Sequence, residues 1–252
     1  ILNCRYPAPV NLRLRSGWHI SGALYAALAP VLPERVLAGS GFLGAFQTRG
    51  LDGGRPFAVP FFAGGGQGAS LGRDGRPGYI YPSTAKGMSV EMFESRTSLV
   101  IAEKRLLPDS AGAGQFRGGP GQRIRVRLHP AKRGPVHINL TPDRMRCPAP
   151  GFNGGLPGRR AQVLLNGREP GPESSFFREG LLTLERPEDE LVFDLPGGGG
   201  FGPPEARDPR RIDADLQRRI VTPAGIQRDY RRDPEQDSQQ FRGVEDKAGG
   251  EA

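Results

Sequence analysis

The segment from Leu107 to Arg123, LPDSAGAGQFRGGPGQR, holds the densest set of residues that could do chemistry. Asp109 and Ser110 precede five glycines, and Arg117 lies among those glycines. Glycines let backbone N–H groups approach an anion closely, and a guanidinium can clamp a carboxylate or phosphate with two hydrogen bonds. The same residues also fit a turn in which a buried Asp accepts from backbone amides and the glycines adopt positive φ. Both interpretations stay open, and the candidate site residues are Arg117, Asp109, Ser110, Gly112 and Gly114.

A second glycine segment, GGGQGASLGRDG at 64–75, directly follows the apolar run FAVPFF. Gly64, Gly66 and Ala69 nominally satisfy the dinucleotide-binding pattern, but no amphipathic helix begins at the third position. We therefore expect a tight loop packed against another stretch of backbone, with Asp74 as a further candidate carboxylate. The glycines before Pro120 do not form a P-loop either, since no Lys-Ser or Lys-Thr pair follows them.

A third glycine segment, DLPGGGGFGPPEARDPRRI, runs from Asp194 to Ile212 and joins an expected strand to an expected helix. Such an order can bind an anion at the helix N-terminus. Asp208 followed by Pro209 also looks like an ordinary helix cap, which needs no ligand.

The remaining acidic and histidine residues give weaker signals. Glu91 and Glu94 would share a face of a helix, where paired carboxylates can do acid–base work or hold a metal, but would lie on opposite faces of a strand. His129 ends one expected strand and His137 lies on the next, so the two are candidate cross-strand neighbours. Solvated or salt-bridged glutamates are the commoner outcome, and two histidines alone are weak evidence for a metal site.

Composition and charge exclude several classes of protein. Of 252 residues, 38 are Gly and 25 are Pro, and no apolar run is long enough to span a bilayer. The formal charge is +8, but 31 of the 35 basic residues are scattered arginines, with no basic block or aromatic ladder, so nucleic-acid binding is not expected. Two cysteines and no secretory pattern favour a cytoplasmic protein.

The elements that must position these residues are strands in the middle of the chain and short helices at its ends. HISGALYAALA at 19–29 predicts a helix with Ile20, Leu24, Ala27 and Leu28 on one stripe. RIRVRLH at 123–129 alternates, which places three apolar side chains on one face and three arginines on the other. Further strands are predicted at 136–141, 161–167, 180–186 and 190–195, and helices at 210–220 and 222–230. This is an α+β fold with a strand-rich, turn-rich central region, flanking short helices and a disordered tail at 232–252.

These segments, in this order, resemble the C-terminal portion of the hydantoinase B/oxoprolinase family. The resemblance rests on YPAPVNLR, APVLPERVLAGSG, GGGQGASLGRDG, VEMFE, LPDSAGAGQFRGGPG, and PGGGGFGPPEARDP with its following D…VTPAGIQRDY helix pair. It implies that residues 1–204 are the mostly β C-terminal part of the family domain and that 205–231 are its helical closing segment. Because the chain opens at Ile1 without a Met, we expect a fragment or a processed chain.

The resemblance implies the B-type component of an ATP-dependent enzyme that opens a lactam or hydantoin ring, as a hetero-oligomer with an A-type component. That companion would bind ATP and phosphorylate the substrate oxygen, and a divalent metal, if present, would be bound upstream of this segment. Arg117 is then expected to stabilise developing charge, with Asp109 and Asp74 as base or loop organiser and Ser110, Gly112 and Gly114 near the substrate. The alternatives are a fragment of an acetone or acetophenone carboxylase-like large chain, and a non-catalytic assembly component or truncated relic.

Overall fold

Two antiparallel sheets of four strands each form the centre of the molecule in the computed structural model. The structure describes residues 5–7, 13–83, 85–132, 134–140, 142–172, 174 and 180–232. The strands are β1 Leu43–Asp52, β2 Arg55–Gly64, β3 Leu99–Leu106, β4 Gln122–Leu128, β5 Val136–Leu140, β6 Gln162–Leu165, β7 Leu181–Leu184 and β8 Glu190–Asp194. One sheet has the order β2-β1-β5-β7 and the other β3-β4-β8-β6, which confirms the α+β expectation.

Both sheets contribute to one hydrophobic core. Phe46 and Phe61 of the first sheet stack with ring centroids 5.0 Å apart, and Phe93 meets both rings edge-on. Ile124 and Phe193 of the second sheet belong to the same buried cluster. The rings and branched aliphatic side chains thus fix the relative placement of the two sheets, because burial of apolar surface is the dominant favourable term in folding.

Strand β4 confirms the predicted alternation. Its apolar side chains, Ile124, Val126 and Leu128, are 0%, 0% and 2% exposed. Its three arginines lie on the opposite face and pair with carboxylates of β3 and β8. These pairs are Arg123 with Asp194, Arg125 with Glu103 and Glu190, and Arg127 with Glu190.

The described residues also form four α-helices: α1 Arg13–Leu28, α2 Val90–Glu94, α3 Pro209–Gln217 and α4 Pro223–Tyr230. The predicted caps of the last two are confirmed. The Asp208 carboxylate accepts from the amide of Arg210, and the Thr222 hydroxyl accepts from the amide of Gly225. Proline follows each cap at the first helical position, where its missing N–H costs no hydrogen bond.

The apolar stripe predicted on the first helix is not its packed face. Ile20, Leu24 and Leu28 are 45%, 57% and 39% exposed, whereas Tyr25 and Ala29 pack against the cluster that contains Phe152 and Phe201. Side chains four residues apart share a helix face, so Tyr25 and Ala29 form a stripe beside the one that hydrophobicity alone selected.

Three further findings bear on the sequence-based expectations. His129 directly follows β4, and His137 lies on β5. These two strands belong to different sheets, so the expectation that the two histidines are cross-strand neighbours is wrong. The predicted disordered tail lies, apart from Arg232, outside the described residues. Within the described part of the chain, none of the helices has the length and apolar character that a membrane crossing requires.

Candidate functional site

The glycine-rich segments converge into a bundle of packed backbone beyond one end of each sheet. We call it the glycine bundle, and its segments are residues 38–41, 64–76, 110–121, 149–159 and 196–202. The strand registers pair Leu43 with Gly64 in one sheet, and Arg123 and Gln162 with Asp194 in the other. These loops therefore leave matching strand ends and are brought together by the sheet topology.

The four consecutive glycines 197–200 form the buried centre of the bundle. Each of their amides donates to a carbonyl of another segment of the bundle, over 2.8–3.3 Å, and the four acceptors come from three segments. The acceptors, in order, are Arg159, Gly119, Gly39 and Leu156. This arrangement satisfies buried backbone groups that form no regular sheet, as a buried N–H must have an acceptor.

Glycine is required at the centre because backbone packs directly against backbone. A methyl group on Gly197, Gly198, Gly199 or Gly200 would overlap the carbonyl groups of Ser110, Gln67, Pro150 or Ala113 respectively. Likewise a methyl group on Gly66 would overlap the carbonyl of Gly119. The expectation that the loop at 64–75 packs against another stretch of backbone is confirmed.

A buried ion network joins this bundle to the C-terminal helices. Arg117 donates from Nε and Nη2 to the carboxylate of Asp215 over 2.9 and 3.1 Å, and from Nη1 to the carbonyl of Gly118. Arg207 donates from Nη1 and Nη2 to both oxygens of Asp74 over 2.8 and 3.0 Å, and from Nη2 to Asp215 over 2.7 Å. Two buried guanidinium groups thus face two carboxylates, and the exposed Arg211 lies 3.9 Å from Asp74 at the edge of the network.

Electrostatics in the network favour its charged state. Burial opposes ionisation of Asp74, but the hydrogen bond and charge of Arg207, with those of Arg117, hold the pKa of Asp74 below its ordinary value. Burial likewise opposes the charge of Arg207, but its bonds to Asp74 raise its pKa. Tyr230, buried beside the network, has its pKa raised by burial to about 12, against the opposing charges of Arg207 and Arg117. Asp74 and Arg207 therefore keep their charges near neutral pH.

Asp109 performs a parallel function at the other C-terminal helix. Its carboxylate accepts from the amide and hydroxyl of Thr222 over 2.8 and 2.6 Å. Gly225, in the first turn of α4, has no space for a side chain because the Asp109 carboxylate occupies that space. Asp109 itself has φ +53°, in the left-handed region that Asp tolerates better than most residues.

The predicted substrate-binding residues lie inside the bundle. The Ser110 hydroxyl is fully buried, donates to the carbonyl of Leu107 and accepts from the amide of Gly121. The amide of Gly112 donates to the carbonyl of Gly198, and a methyl group on Gly114 would lie 2.7 Å from the backbone nitrogen of Phe201. Substrate binding by these residues stays a prediction.

The structure thus brings Asp74 and Arg117 together, since Asp74 accepts from the Arg117 amide over 2.7 Å, and it places Asp109 at a separate junction. Sequence reasoning missed Arg207 and Asp215. A signal for Asp215 was present, because it lies three residues after Ile212 and shares the buried face of α3 with that residue. A carboxylate on an apolar helix face needs a cationic partner.

The acidic and histidine candidates do not assemble into a site. Glu91 and Glu94 lie on α2, as the helical alternative required, and Glu94 accepts from the amide of Ile101 over 2.8 Å. Among the described residues, no group of three or more His, Cys, Asp or Glu side chains is placed to hold a metal ion. We therefore derive no step through a metal from these residues.

A cleft of about 540 Å³ opens beside the Asp109 junction. Its lining combines loop residues of the bundle with the end of α4. These residues include Asp109, Ala111, Leu156, Arg159, Arg228 and Asp229. Of the cavities in the described part of the structure, this one lies against a predicted catalytic residue and is open to a ligand.

Comparisons with known proteins agree with this arrangement of motifs. Residues 1–204 match the family model described as hydantoinase B/oxoprolinase. The chain is 28% identical over 243 residues to the beta subunit of the caprolactamase of Pseudomonas jessenii, covering 91% of this chain and 41% of that protein. It is 24% identical over 226 residues to the B component of a putative D-/L-hydantoinase of a Pseudomonas species, covering 88% of this chain and 37% of that protein. The chain thus spans about two-fifths of the length of these relatives.

Two solved structures share the fold. The ATP-dependent caprolactamase of Pseudomonas jessenii superposes with a TM-score of 0.66 at 23% identity, over 81% of this chain and 37% of that one. A nucleotide-free acetone carboxylase superposes with a TM-score of 0.64 at 20% identity, over 84% of this chain and 32% of that one. With its first 204 residues matched by the family model, the chain belongs to the hydantoinase B/oxoprolinase family.

Proposed function

We propose that this chain is part of the B-type component of an ATP-dependent enzyme that opens the ring of a lactam or hydantoin. The observation that carries the proposal is the family match over residues 1–204. Support comes from the relatives, which are named as the beta component of a caprolactamase and the B component of a hydantoinase and match about nine-tenths of this chain. Because both are named as one subunit of a larger assembly, the enzyme has a partner, which we assign as an ATP-binding A-type component.

ATP would promote ring opening for a chemical reason. An unstrained amide is a poor electrophile, and its nitrogen is a poor leaving group. Transfer of the γ-phosphoryl group to the amide oxygen on the A-type component activates the carbon, so that water adds and the C–N bond breaks. Breaking the C–N bond leaves an acyl phosphate, which a second water hydrolyses. The overall reaction of a lactam therefore consumes one lactam, two waters and one ATP and yields one amino acid, ADP and phosphate.

The contacts in the ion network support a positioning function for Arg117 and Asp74. Arg117 is 6% exposed, and its donors reach Asp215 and Gly118, so the guanidinium holds α3 on the bundle rather than a substrate. A carboxylate whose pKa lies below its ordinary value is a weak general base, which favours the loop-organiser alternative for Asp74.

Asp109 combines a positioning function with access to a cleft. Its two oxygens hold the start of α4, and it also lines the cleft of about 540 Å³ together with Arg159 and Arg228. Arg228 is paired with Asp229 of the same lining, which leaves Arg159 as the cation that can face a phosphoryl group of the substrate. We assign substrate access to this cleft.

The test is reconstitution of the complete polypeptide that carries this sequence with its A-type component. ATP-dependent consumption is measured for caprolactam, 5-oxoproline and hydantoin, and separately for acetone with bicarbonate. We expect ring opening of at least one of the three cyclic amides that requires both components and ATP. Carboxylation of acetone with none of the ring openings would replace the proposal by the carboxylase alternative.

A second arm tests whether Asp109 and Arg117 contribute to the activity. Asp109→Asn with partner present is expected to lower turnover and also the thermal midpoint of unfolding, because the bond to Thr222 is weakened. Unchanged turnover in Asp109→Asn and in Arg117→Ala would remove both residues from the account of the activity.

A further inference from the structure

A second cleft, of about 940 Å³, lies between the segment after β5 and the start of β6. His19 of α1 lies at its margin, and residues 142–147 and 159–162 form its walls. We call it the basic cleft, because four arginines line it: Arg144, Arg146, Arg159 and Arg160. Two carboxylates, Asp143 and Glu169, are the acidic members of the lining.

The arginines of the lining outnumber its carboxylates. Glu169 accepts from the side-chain amide of Gln162 over 2.8 Å, and Asp143 lies 3.9 Å from the Nε2 of His19 and acts electrostatically on Arg144. If each carboxylate offsets one arginine, two positive charges still remain. The positive charge of the cleft is therefore not neutralised from within its lining.

Two of the four arginines have polar or ring contacts within the chain, and the other two have no side-chain hydrogen bond or ion pair with the described residues. Arg144 donates from Nε to the carbonyl of Ser40 and lies over the ring of Phe42, with 4.7 Å from its guanidinium carbon to the ring centroid. Arg159 reaches Gln162 over 3.5 Å and lies 3.9 Å from Asp194, which already receives two hydrogen bonds from Arg123. In the described part of the chain, Arg146 and Arg160 make no side-chain hydrogen bond or ion pair.

Arginines of the second sheet and of the ion network are, in contrast, paired with carboxylates. All three arginines of β4 pair with carboxylates on neighbouring strands, and both arginines of the ion network pair with Asp74 and Asp215. Like charges collected in one cleft repel each other, and an anion bound among them would remove that repulsion.

The backbone at the cleft is also constrained. Arg144 has φ +62°, the left-handed region that a non-glycine residue seldom adopts. Its guanidinium is partly buried, and burial lowers its pKa, while the neighbouring Asp143 opposes that shift. The constrained backbone thus keeps a partly buried cation at the wall of the cleft.

We infer that the basic cleft binds the oxyanion group, phosphate or carboxylate, of a small molecule, with Arg146 and Arg160 as the direct ligands and Arg144 behind them. The planar fork of a guanidinium matches two oxygens of such a group, which a single ammonium cannot do. Arg159 lines this cleft and the cleft beside Asp109, so an anion held here lies next to the assigned substrate cleft. The inference rests on the arginines alone and holds whether or not the ring-opening activity is found.

The test is calorimetric titration of the complete polypeptide with inorganic phosphate and, separately, with glutarate as a carboxylate probe, at constant ionic strength. Arg146→Gln/Arg160→Gln is compared with Arg210→Gln/Arg218→Gln, which removes the same charge from positions of α3 and its C-terminal cap that do not line the cleft. We expect at least one probe to bind the parent and the α3 variant equally. The cleft variant should bind it about tenfold or more weakly, as two charge-assisted hydrogen-bonding groups are lost.

The two probes distinguish the sources of the anion. Binding of phosphate alone assigns a phosphorylated compound or free phosphate, and binding of glutarate alone assigns a carboxylic acid. The inference is overturned if neither probe binds with a dissociation constant below about 10 mM. That value corresponds to a binding free energy of about 3 kcal/mol. Equal weakening in both double variants would also overturn it, because net charge would then explain the binding.

Discussion

The glycine bundle and the basic cleft meet at Arg159, but they differ in whether their polar groups have partners within the chain. In the bundle, the Arg159 carbonyl accepts from Gly197, and the buried amides of 198–200 all have acceptors. In the cleft, the Arg159 side chain lies beside two arginines that have no anionic partner in the described structure. The bundle is therefore complete without a ligand, whereas the cleft is not.

The difference shows how the glycine-rich motifs of this chain should be interpreted. The motifs that look most like anion-binding loops are the ones that pack backbone against backbone, and their glycines are needed for close approach. The unpaired arginines lie in DRMRC and GRR segments that match no binding motif. Dense motifs here mark a scaffold, and unsatisfied charge marks the candidate for binding.

The largest expected effect is at the centre of the bundle. Gly198→Ala places a methyl group on the backbone of Gln67, which is itself held on both sides, so we expect a loss of about 4 kcal/mol in the free energy of unfolding. Urea denaturation measures it. Gly171→Ala is the matched control, since no atom lies within 4 Å of its added methyl group. Equal stability of the two variants would show that the bundle can rearrange to accommodate the added methyl group.

The next effect tests the ion network. Asp215→Asn removes the carboxylate charge shared by Arg117 and Arg207, and breaking a buried ion pair of this kind costs about 3 kcal/mol. Asp213→Asn, an exposed residue of the same helix, should change the free energy of unfolding by less than about 0.5 kcal/mol. A small effect at Asp215 would mean that the network does not hold α3.

A smaller effect is expected at the Asp109 junction. Thr222→Ala removes the helix cap and the hydroxyl that donates to Asp109, for an expected loss of about 1.5 kcal/mol. Thr222→Ser keeps the hydroxyl and should restore most of that loss. If serine is no better than alanine in thermal unfolding, the hydroxyl contacts contribute little.

The smallest effect is a difference in pH dependence. Asp74 has a folded-state pKa below its ordinary value of 3.8, so it contributes stability above that value and loses it as the pH falls through the folded pKa. Asp74→Asn should therefore lower the free energy of unfolding at pH 6, and its difference from the parent should shrink toward about pH 3. Equilibrium unfolding at several pH values measures this, and a difference that is constant with pH would contradict the predicted linkage.

The sequence was sufficient for elements whose signal is local. The alternation in β4 and the capping pairs Asp208–Pro209 and Thr222–Pro223 all predict what the structure contains. The hairpin of β1 and β2 also had a local signal that went unused. Gly53 and Gly54 join the strands with positive φ, as a two-residue hairpin turn requires.

The candidate site could not be predicted in the same way, because its contacts are distant in sequence. Arg207 reaches Asp74 across 133 residues, and Arg117 reaches Asp215 across 98. No local pattern distinguishes an arginine that pairs across such a distance from one that binds a ligand. The packing of β1 against β5 rather than β4, which separates His129 from His137, is also set by long-range contacts.

The most direct test of the proposed function is the stoichiometry of the reconstituted reaction. The complete polypeptide and its A-type component are mixed with ATP and a cyclic amide, and ADP and ring-opened product are measured together. We predict that both form at a ratio of about one to one and that omitting either component abolishes both. ATP hydrolysis without ring opening of any cyclic amide, in a complex shown to be assembled, would contradict the proposal.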